Sequence, residues 1–469
     1  MPMKENFIYF SLFGNSILIN SLYNKSIAKC FMSESRTEWS FMNMKKKRSL
    51  IILSIMLVVA IFSMSSCYLI DFSFGGTEDY LTKSEVEQMI NNNMGENVTV
   101  EGGNNYNVTI DGVSQDNAAA GKALLSAVSI RCTFKTTTYG TSYQPGATAS
   151  REKTSAGSGV IYKLDKNSGD AYIITNYHVV YYSQSNTENG ISDNISVYLY
   201  GQESGEYAIP ATYVGGSMNY DLAVLKVDGS KIIAESNVAE VTFADSNNVA
   251  VLDQAIAVGN PEALGISATL GYINVDSEYI QMEGADGVTA IQIRVMRMDT
   301  AVNSGNSGGG LFNNRGELIG IVNAKLTSSE NMSYAIPSNF VKYVTENILH
   351  YCDGTDKENV YRCYLGITVQ ASRLYTEYDE ASGKLHKRED VGVISVADGS
   401  LAKGFVEVGD IINSITVDGV TYDVNRMYIV TDSMLNARVD SVVVINVTRD
   451  GESVDVEIRI AESSVAAIK

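Results

Sequence analysis

The chain has 469 residues, 45% of them apolar and 19% charged, so it exceeds one ordinary domain and can build more than one packed core. A formal net charge of −19 excludes a protein that neutralises a nucleic-acid backbone, which needs clustered Lys and Arg. Five cysteines at irregular positions, none in CxxC spacing, exclude a disulfide framework and a thiolate zinc site, and no cofactor or metal is expected.

From Met44 the sequence runs KKKR, then an uncharged apolar stretch from Leu50 to Met64, then SSC ending at Cys67, the layout of an export signal. This resembles a bacterial lipoprotein signal, with Met64 where Leu is commoner. The resemblance implies cleavage before Cys67 and lipid attachment to its thiol. The same residues also read as an uncleaved membrane helix of marginal length, with Lys45 to Arg48 kept inside. Both readings put the rest of the chain at the outer face of the cytoplasmic membrane. Residues 1–67 are therefore a signal or anchor region. Residues 1–43 precede the point where such a signal should start, and a start codon assigned too early, with initiation at Met42 or Met44, accounts for them. Residues 68–116, rich in Asn, Gly and acids, read as a tether with one short helical signal at Ser84 to Ile90.

Residues 117–350 carry a dense series of short apolar segments, among them YIITNYHVV, ISVYLY, DLAVLKV, DQAIAVGN, AIQIRVM and LIGIVNA, separated by Gly, Asn and Asp turns. Strands at this spacing predict a β sandwich or a pair of barrels. In VSIRCTF, Val128, Ile130, Cys132 and Phe134 share one strand face, which makes Cys132 a core thiol. The pattern turns helical from Pro337 to Leu349, with Phe340, Val341, Val344 and Ile348 apolar. A second unit, residues 361–462, ends in two alternating runs around the Asp450-Gly451 turn, which predicts a hairpin. Cys352 and Cys363 flank the junction; whether they pair is left open.

Peptide hydrolysis needs an activated nucleophile, a base, a group that orients the base and donors for the oxyanion. Of three histidines, His178 alone follows a strand of the first unit and is the candidate base. Ser307 in NSGNSGGG is the candidate nucleophile, because glycines permit backbone angles that aim successive N–H groups at one point. Gly305 and Ser307 would supply the oxyanion amides. Asp221, opening DLAVLKV, is placed to fix the imidazole tautomer. Each signal alone is commonplace: a glycine turn, a pre-strand Asp, a structural His. Their joint order, His, Asp, Ser, gives them weight.

With GSGVIY before the His and AVGNP between Asp and Ser, the strings TNYHVV, YDLAVLKV and GNSGG resemble the HtrA/DegP family of trypsin-like serine proteases over roughly residues 120 to 460. The resemblance implies a mainly β chain: a trypsin-like double β-barrel followed by a PDZ domain of α+β type. It gives His178 the role of base, Asp221 of orienter, Ser307 of nucleophile, and Gly305 with Ser307 of oxyanion donors. Tyr177, Ser304 and Gly310 depart from the family's usual residues without removing a catalytic atom. Gly271 to Met298, a stretch used for regulation in the family, matches weakly. Ala301 stands where trypsin-type enzymes keep an acid at the pocket base. A specificity pocket bounded by Ala301, Val322, Asn323 and Ala324 should then prefer Val, Ala or Leu.

YLGI resembles the carboxylate-binding loop of PDZ domains, implying that the amides of Leu365, Gly366 and Ile367 hold the carboxylate of a C-terminal peptide. The function implied is an extracytoplasmic serine endopeptidase that cleaves misfolded or exposed polypeptides in envelope quality control, as a homotrimer or a multiple of one. The rival readings are a non-catalytic peptide-binding scaffold or chaperone, and a narrow signalling protease cutting one membrane partner.

Overall fold

The computed structural model describes residues 8–12, 15–19, 98–101, 107–110, 115–139, 148–203, 205–323, 332–351 and 360–468. The signal and anchor segment with Cys67, the Ser84 to Ile90 helical signal, Ala324 and Cys352 lie outside the described residues. The chain divides into two units, residues 1–89 and 90–469. In the first, β1 (Ile8–Leu12) and β2 (Asn15–Ile19) pair as a hairpin. The second begins with another short antiparallel pair, β3 (Val98–Glu101) and β4 (Asn107–Ile110). Helix α1 (Gln115–Ser126) then leads into the barrels.

Six strands close the first barrel in the order β10-β7-β6-β5-β8-β9: β5 (Ala127–Tyr139), β6 (Thr148–Asp165), β7 (Asp170–Thr175), β8 (Asn194–Leu199), β9 (Ile209–Ser217) and β10 (Leu222–Val227). Six more close the second in the order β11-β12-β13-β16-β15-β14: β11 (Gln254–Gly259), β12 (Ser267–Glu283), β13 (Ala290–Met298), β14 (Gly310–Phe312), β15 (Leu318–Val322) and β16 (Ser333–Pro337). Closure leaves neither sheet with a free edge.

The near-continuous apolar run of β10 follows from burial on both faces. Ala223, Leu225 and Val227 point into the first barrel with Val128, Ile130, Cys132 and Phe134, so Cys132 is a core thiol as its strand face predicts. Leu222 and Val224 point the other way, into a core shared by the two barrels with Ile256, Val258, Phe312 and Ile321. Helix α4 (Ser338–Tyr351) closes that shared core with Phe340, Val341, Val344 and Ile348, as its apolar spacing anticipates. Each side chain contributes about 1.5–3 kcal/mol by burial. Two short helices, α2 (Tyr177–Val180) and α3 (Lys231–Glu235), cap the first barrel.

The C-terminal part is a PDZ-like sheet, β18-β19-β20-β22-β23, with β21 (Val420–Asp423) beside β20 and a short helix α5 (Met427–Ser433). Its strands are β18 (Ile367–Asp379), β19 (Lys384–Val396), β20 (Ile411–Val417), β22 (Val442–Arg449) and β23 (Glu452–Arg459). The β22–β23 turn is the one the sequence announces, with Asp450 at φ 50° and Gly451 at φ 87°. One strand lies beyond the expected end: β24 (Val465–Ile468) returns to pair with β17 (Val360–Cys363). Cys363 is a buried free thiol that donates to Ala437 O.

Charged groups join this sheet to the second barrel. Arg294 of β13 pairs with Asp432 of α5 at 2.5 Å and lies over the Tyr428 ring. Asp276 of β12 takes Lys387 and Arg426, each at 2.8 Å. Arg362 of β17 donates to the Tyr220 hydroxyl, one residue before Asp221.

Candidate active site

Strand β7 ends at Thr175, and Asn176 stands at the head of the single turn α2 that presents His178, without a side-chain capping bond. Asp221 sits opposite, 3% exposed, at the mouth of β10 with a left-handed φ of 49°. Asp tolerates that region better than most residues. The Asn176 side-chain amide holds the Asp221 carbonyl at 2.8 Å and so fixes the turn. The carboxylate then takes the His178 backbone N–H on Oδ1 at 3.0 Å and the ring Nδ1 on Oδ2 at 2.7 Å. A carboxylate only accepts, so the proton resides on Nδ1 and the Nε2 lone pair is free to act as base.

Ser307 lies in the turn before β14, which is pressed against the element carrying His178. A side-chain carbon at Gly308 would fall 2.3 Å from Thr175 Oγ1 and 2.9 Å from the Asn176 nitrogen, at the foot of the His178 helix. One at Gly157 would fall among Val179 and Ser307 O. Glycine at both positions is what allows the serine turn and the histidine helix to touch. The serine turn thus abuts the element that carries His178, which is itself hydrogen-bonded to Asp221.

The amides of that turn divide into two kinds. Those of Asn306, Gly308 and Gly309 are taken by Asn303 O, Val322 O and Asn306 O. Those of Gly305 and Ser307 donate to no protein acceptor among the described residues. Gly305 has φ +100°, the left-handed side that glycine alone enters freely. Two unspent N–H groups, one of them the serine's own, and an imidazole oriented by a carboxylate on the adjoining element are the parts that acyl transfer requires.

Comparison with known proteins gives the family. A family model described as trypsin-like peptidase domain matches residues 157–321. The serine protease Do-like HtrA of Lactococcus lactis subsp. lactis is 32% identical over 338 residues, 69% of this chain and 75% of the relative. The chain belongs to the HtrA family of serine proteases. It is a serine endopeptidase by that membership. The periplasmic serine endoprotease DegP of Escherichia coli is 31% identical over 318 residues, 66% of this chain and 57% of DegP. A solved HtrA-type protease, AlgW with a decapeptide, is 25% identical, covers 74% of this chain and 98% of its own, and superposes with a TM-score of 0.45.

Not every nominated residue of this HtrA protease stands where its sequence suggests. Val322 points into the second barrel's core, so only its backbone is open to a pocket wall. Asn323 turns its side chain to Asp221, 2.8 Å from Oδ2. Ala301 is exposed, and its carbonyl accepts from Thr269 Oγ1 at 2.9 Å. In the PDZ-like sheet Gly366 has φ +80°, and the amides of Leu365 and Gly366 have no protein acceptor among the described residues. Ile367 opens β18 opposite Val396. Sequence reasoning gave Asn323 to the pocket and missed Asn176 and Ser158, which lie inside the strings TNYHVV and GSGVIY that carry the family resemblance.

Proposed function

We propose that the chain hydrolyses polypeptides outside the cytoplasm through His178, Asp221 and Ser307. Ser307 Oγ attacks the scissile carbonyl and gives its proton to His178 Nε2. Asp221 stabilises the imidazolium, and the Gly305 and Ser307 amides receive the oxyanion. The imidazolium then protonates the leaving amine, the acyl group stays on Ser307, and a water activated by His178 releases it. The observation that carries this reading is the pair of Gly305 and Ser307 amides with no protein acceptor among the described residues, in a turn where the Asn306, Gly308 and Gly309 amides are taken.

Exposed segments of misfolded proteins are the substrates proposed, with Val, Ala or Leu before the cleaved bond. The PDZ-like sheet is proposed to hold C-terminal carboxylates on the Leu365, Gly366 and Ile367 amides, with the peptide added along β18. An assembly of three copies or a multiple, and a lipid on Cys67, complete the proposal.

The test is digestion of unfolded casein by the protein and by its Ser307→Ala variant. Cleavage by the first and none by the second supports the reading. Equal inactivity of both, with C-terminal peptides added, moves the protein to a peptide-binding scaffold.

A further inference from the structure

Glycine at 305 creates a problem that the glycine itself cannot solve. A residue free at both dihedrals leaves its flanking peptide planes free to turn, and an oxyanion donor that turns away donates nothing. Orientation must therefore come from outside the turn.

Two contacts supply it. The Ser304 carbonyl accepts from the Glu262 backbone N–H at 2.7 Å, and the Gly305 carbonyl accepts from the Ser158 hydroxyl at 2.7 Å. The Ser304–Gly305 peptide is trans, so pinning its oxygen sends the Gly305 N–H to the opposite side. The second contact fixes the next plane. A hydroxyl has one proton, and the Ser158 oxygen is already an acceptor for the Asn260 N–H at 2.8 Å, which leaves that proton to the Gly305 carbonyl. Ser158 is fully buried.

The other polar atoms of Ser158 are also spent on the site. Its N–H donates to Ser307 O at 2.8 Å, and its carbonyl accepts from Thr175 Oγ1 at 2.7 Å, three residues before His178. Asn260 is itself anchored, with its side-chain amide on Ser129 Oγ at 2.6 Å, and Ser129 pairs with Ser158 across β5 and β6. The first barrel thus grips the turn of the second through one serine.

We propose that Ser158 is a positioning residue of the reaction, whose hydroxyl, set by the Asn260 amide, holds the Gly305–Asn306 peptide plane that lies between the two oxyanion amides and so keeps the Gly305 and Ser307 N–H groups convergent. Glu262 holds the preceding plane through its backbone. This rests on the reading of Ser307 as nucleophile and Gly305 N–H as oxyanion donor.

The test compares the whole protein with Ser158→Ala on a chromogenic peptide. It also measures affinity for a peptide boronate, whose tetrahedral adduct fills the oxyanion position, and for the product peptide, which does not. Loss of one direct oxyanion donor costs about 100- to 1,000-fold in kcat, and a misaimed donor is expected to cost about 10- to 100-fold. The expected pattern is that drop in kcat, unchanged KM, boronate affinity weakened in parallel and product affinity unchanged. Unchanged kcat and boronate affinity overturn the proposal, as does an equal loss of boronate and product binding, which marks general loosening. Should Ser158→Ala not fold, Ser158→Cys keeps the shape with a weaker donor; the same selective weakening is expected, and wild-type boronate affinity overturns the proposal. Cleavage by Ser307→Ala would instead sink the underlying reading.

Discussion

Asn323 Nδ2 lies 2.8 Å from Asp221 Oδ2, the same carboxylate oxygen that holds the His178 Nδ1 at 2.7 Å. Two donors on one oxygen fix the carboxylate plane and so the imidazole it orients. A hydrogen bond to a charged group contributes about 1.5–3 kcal/mol. Asn323→Ala should lower kcat about tenfold with little change in KM. Asn323→Asp sets a second carboxylate against Asp221 and should cost more. Steady-state kinetics on a chromogenic peptide reads both; a KM effect alone would return Asn323 to a pocket-lining role.

Gly308 has φ +83°, and a side-chain carbon there would lie 2.3 Å from both Ser158 O and Thr175 Oγ1. Backbone cannot retreat as a flexible side chain can. Gly308→Ala should therefore separate the serine turn from the histidine helix, abolishing cleavage and lowering the melting temperature, whereas Gly201→Ala, equally left-handed at φ +77° but in open space, should leave activity intact. Activity in Gly308→Ala would show that the two elements need not touch.

The strands that matter for placing the site were legible because each carries an apolar run bounded by turn residues. Asn323 was not legible as a partner of Asp221. All five residues of β15 before it are buried, so alternation does not say which way its side chain turns. Ser158 was hidden differently, as one small polar residue between two glycines in a strand with many polar residues. The 13-residue strands β18 and β19 escaped because the outer half of β18 is exposed and the two are held there by ion pairs such as Arg373 with Asp390 and Arg388 with Glu377. Gly271 to Met298, where the family resemblance fades, forms most of β12 and β13, and two of its residues, Asp276 and Arg294, answer to the PDZ-like sheet.

Arg294 and Asp432 are both buried, 2.5 Å apart, and join the second barrel to the PDZ-like sheet. Removing one partner of such a pair leaves an uncompensated charge and costs about 3–5 kcal/mol, whereas replacing both with apolar residues is often neutral. Arg294→Met should thus lower the unfolding temperature, and adding Asp432→Leu should restore most of it. Scanning calorimetry of the three proteins checks this; a double variant as unstable as the single one would show that the pair stabilises by more than mutual neutralisation.

Asp276 makes the same junction sensitive to acid. Burial raises its pKa, but Lys387 and Arg426, each 2.8 Å away, outweigh burial and hold the carboxyl below its ordinary value. A carboxyl depressed in the folded state binds fewer protons there than in the unfolded chain, so its stabilisation is fully present above the unfolded pKa of about 3.9. It is lost as pH falls through the lower folded value. Compared with Asp276→Asn, the wild-type protein should melt higher at pH 7, and the gap should close progressively below about pH 4 as the carboxyl takes up its proton. Melting curves from pH 3 to 7 would read the gap directly. A gap of constant size across that range would mean that Lys387 and Arg426 contribute through packing and not through the charge of Asp276.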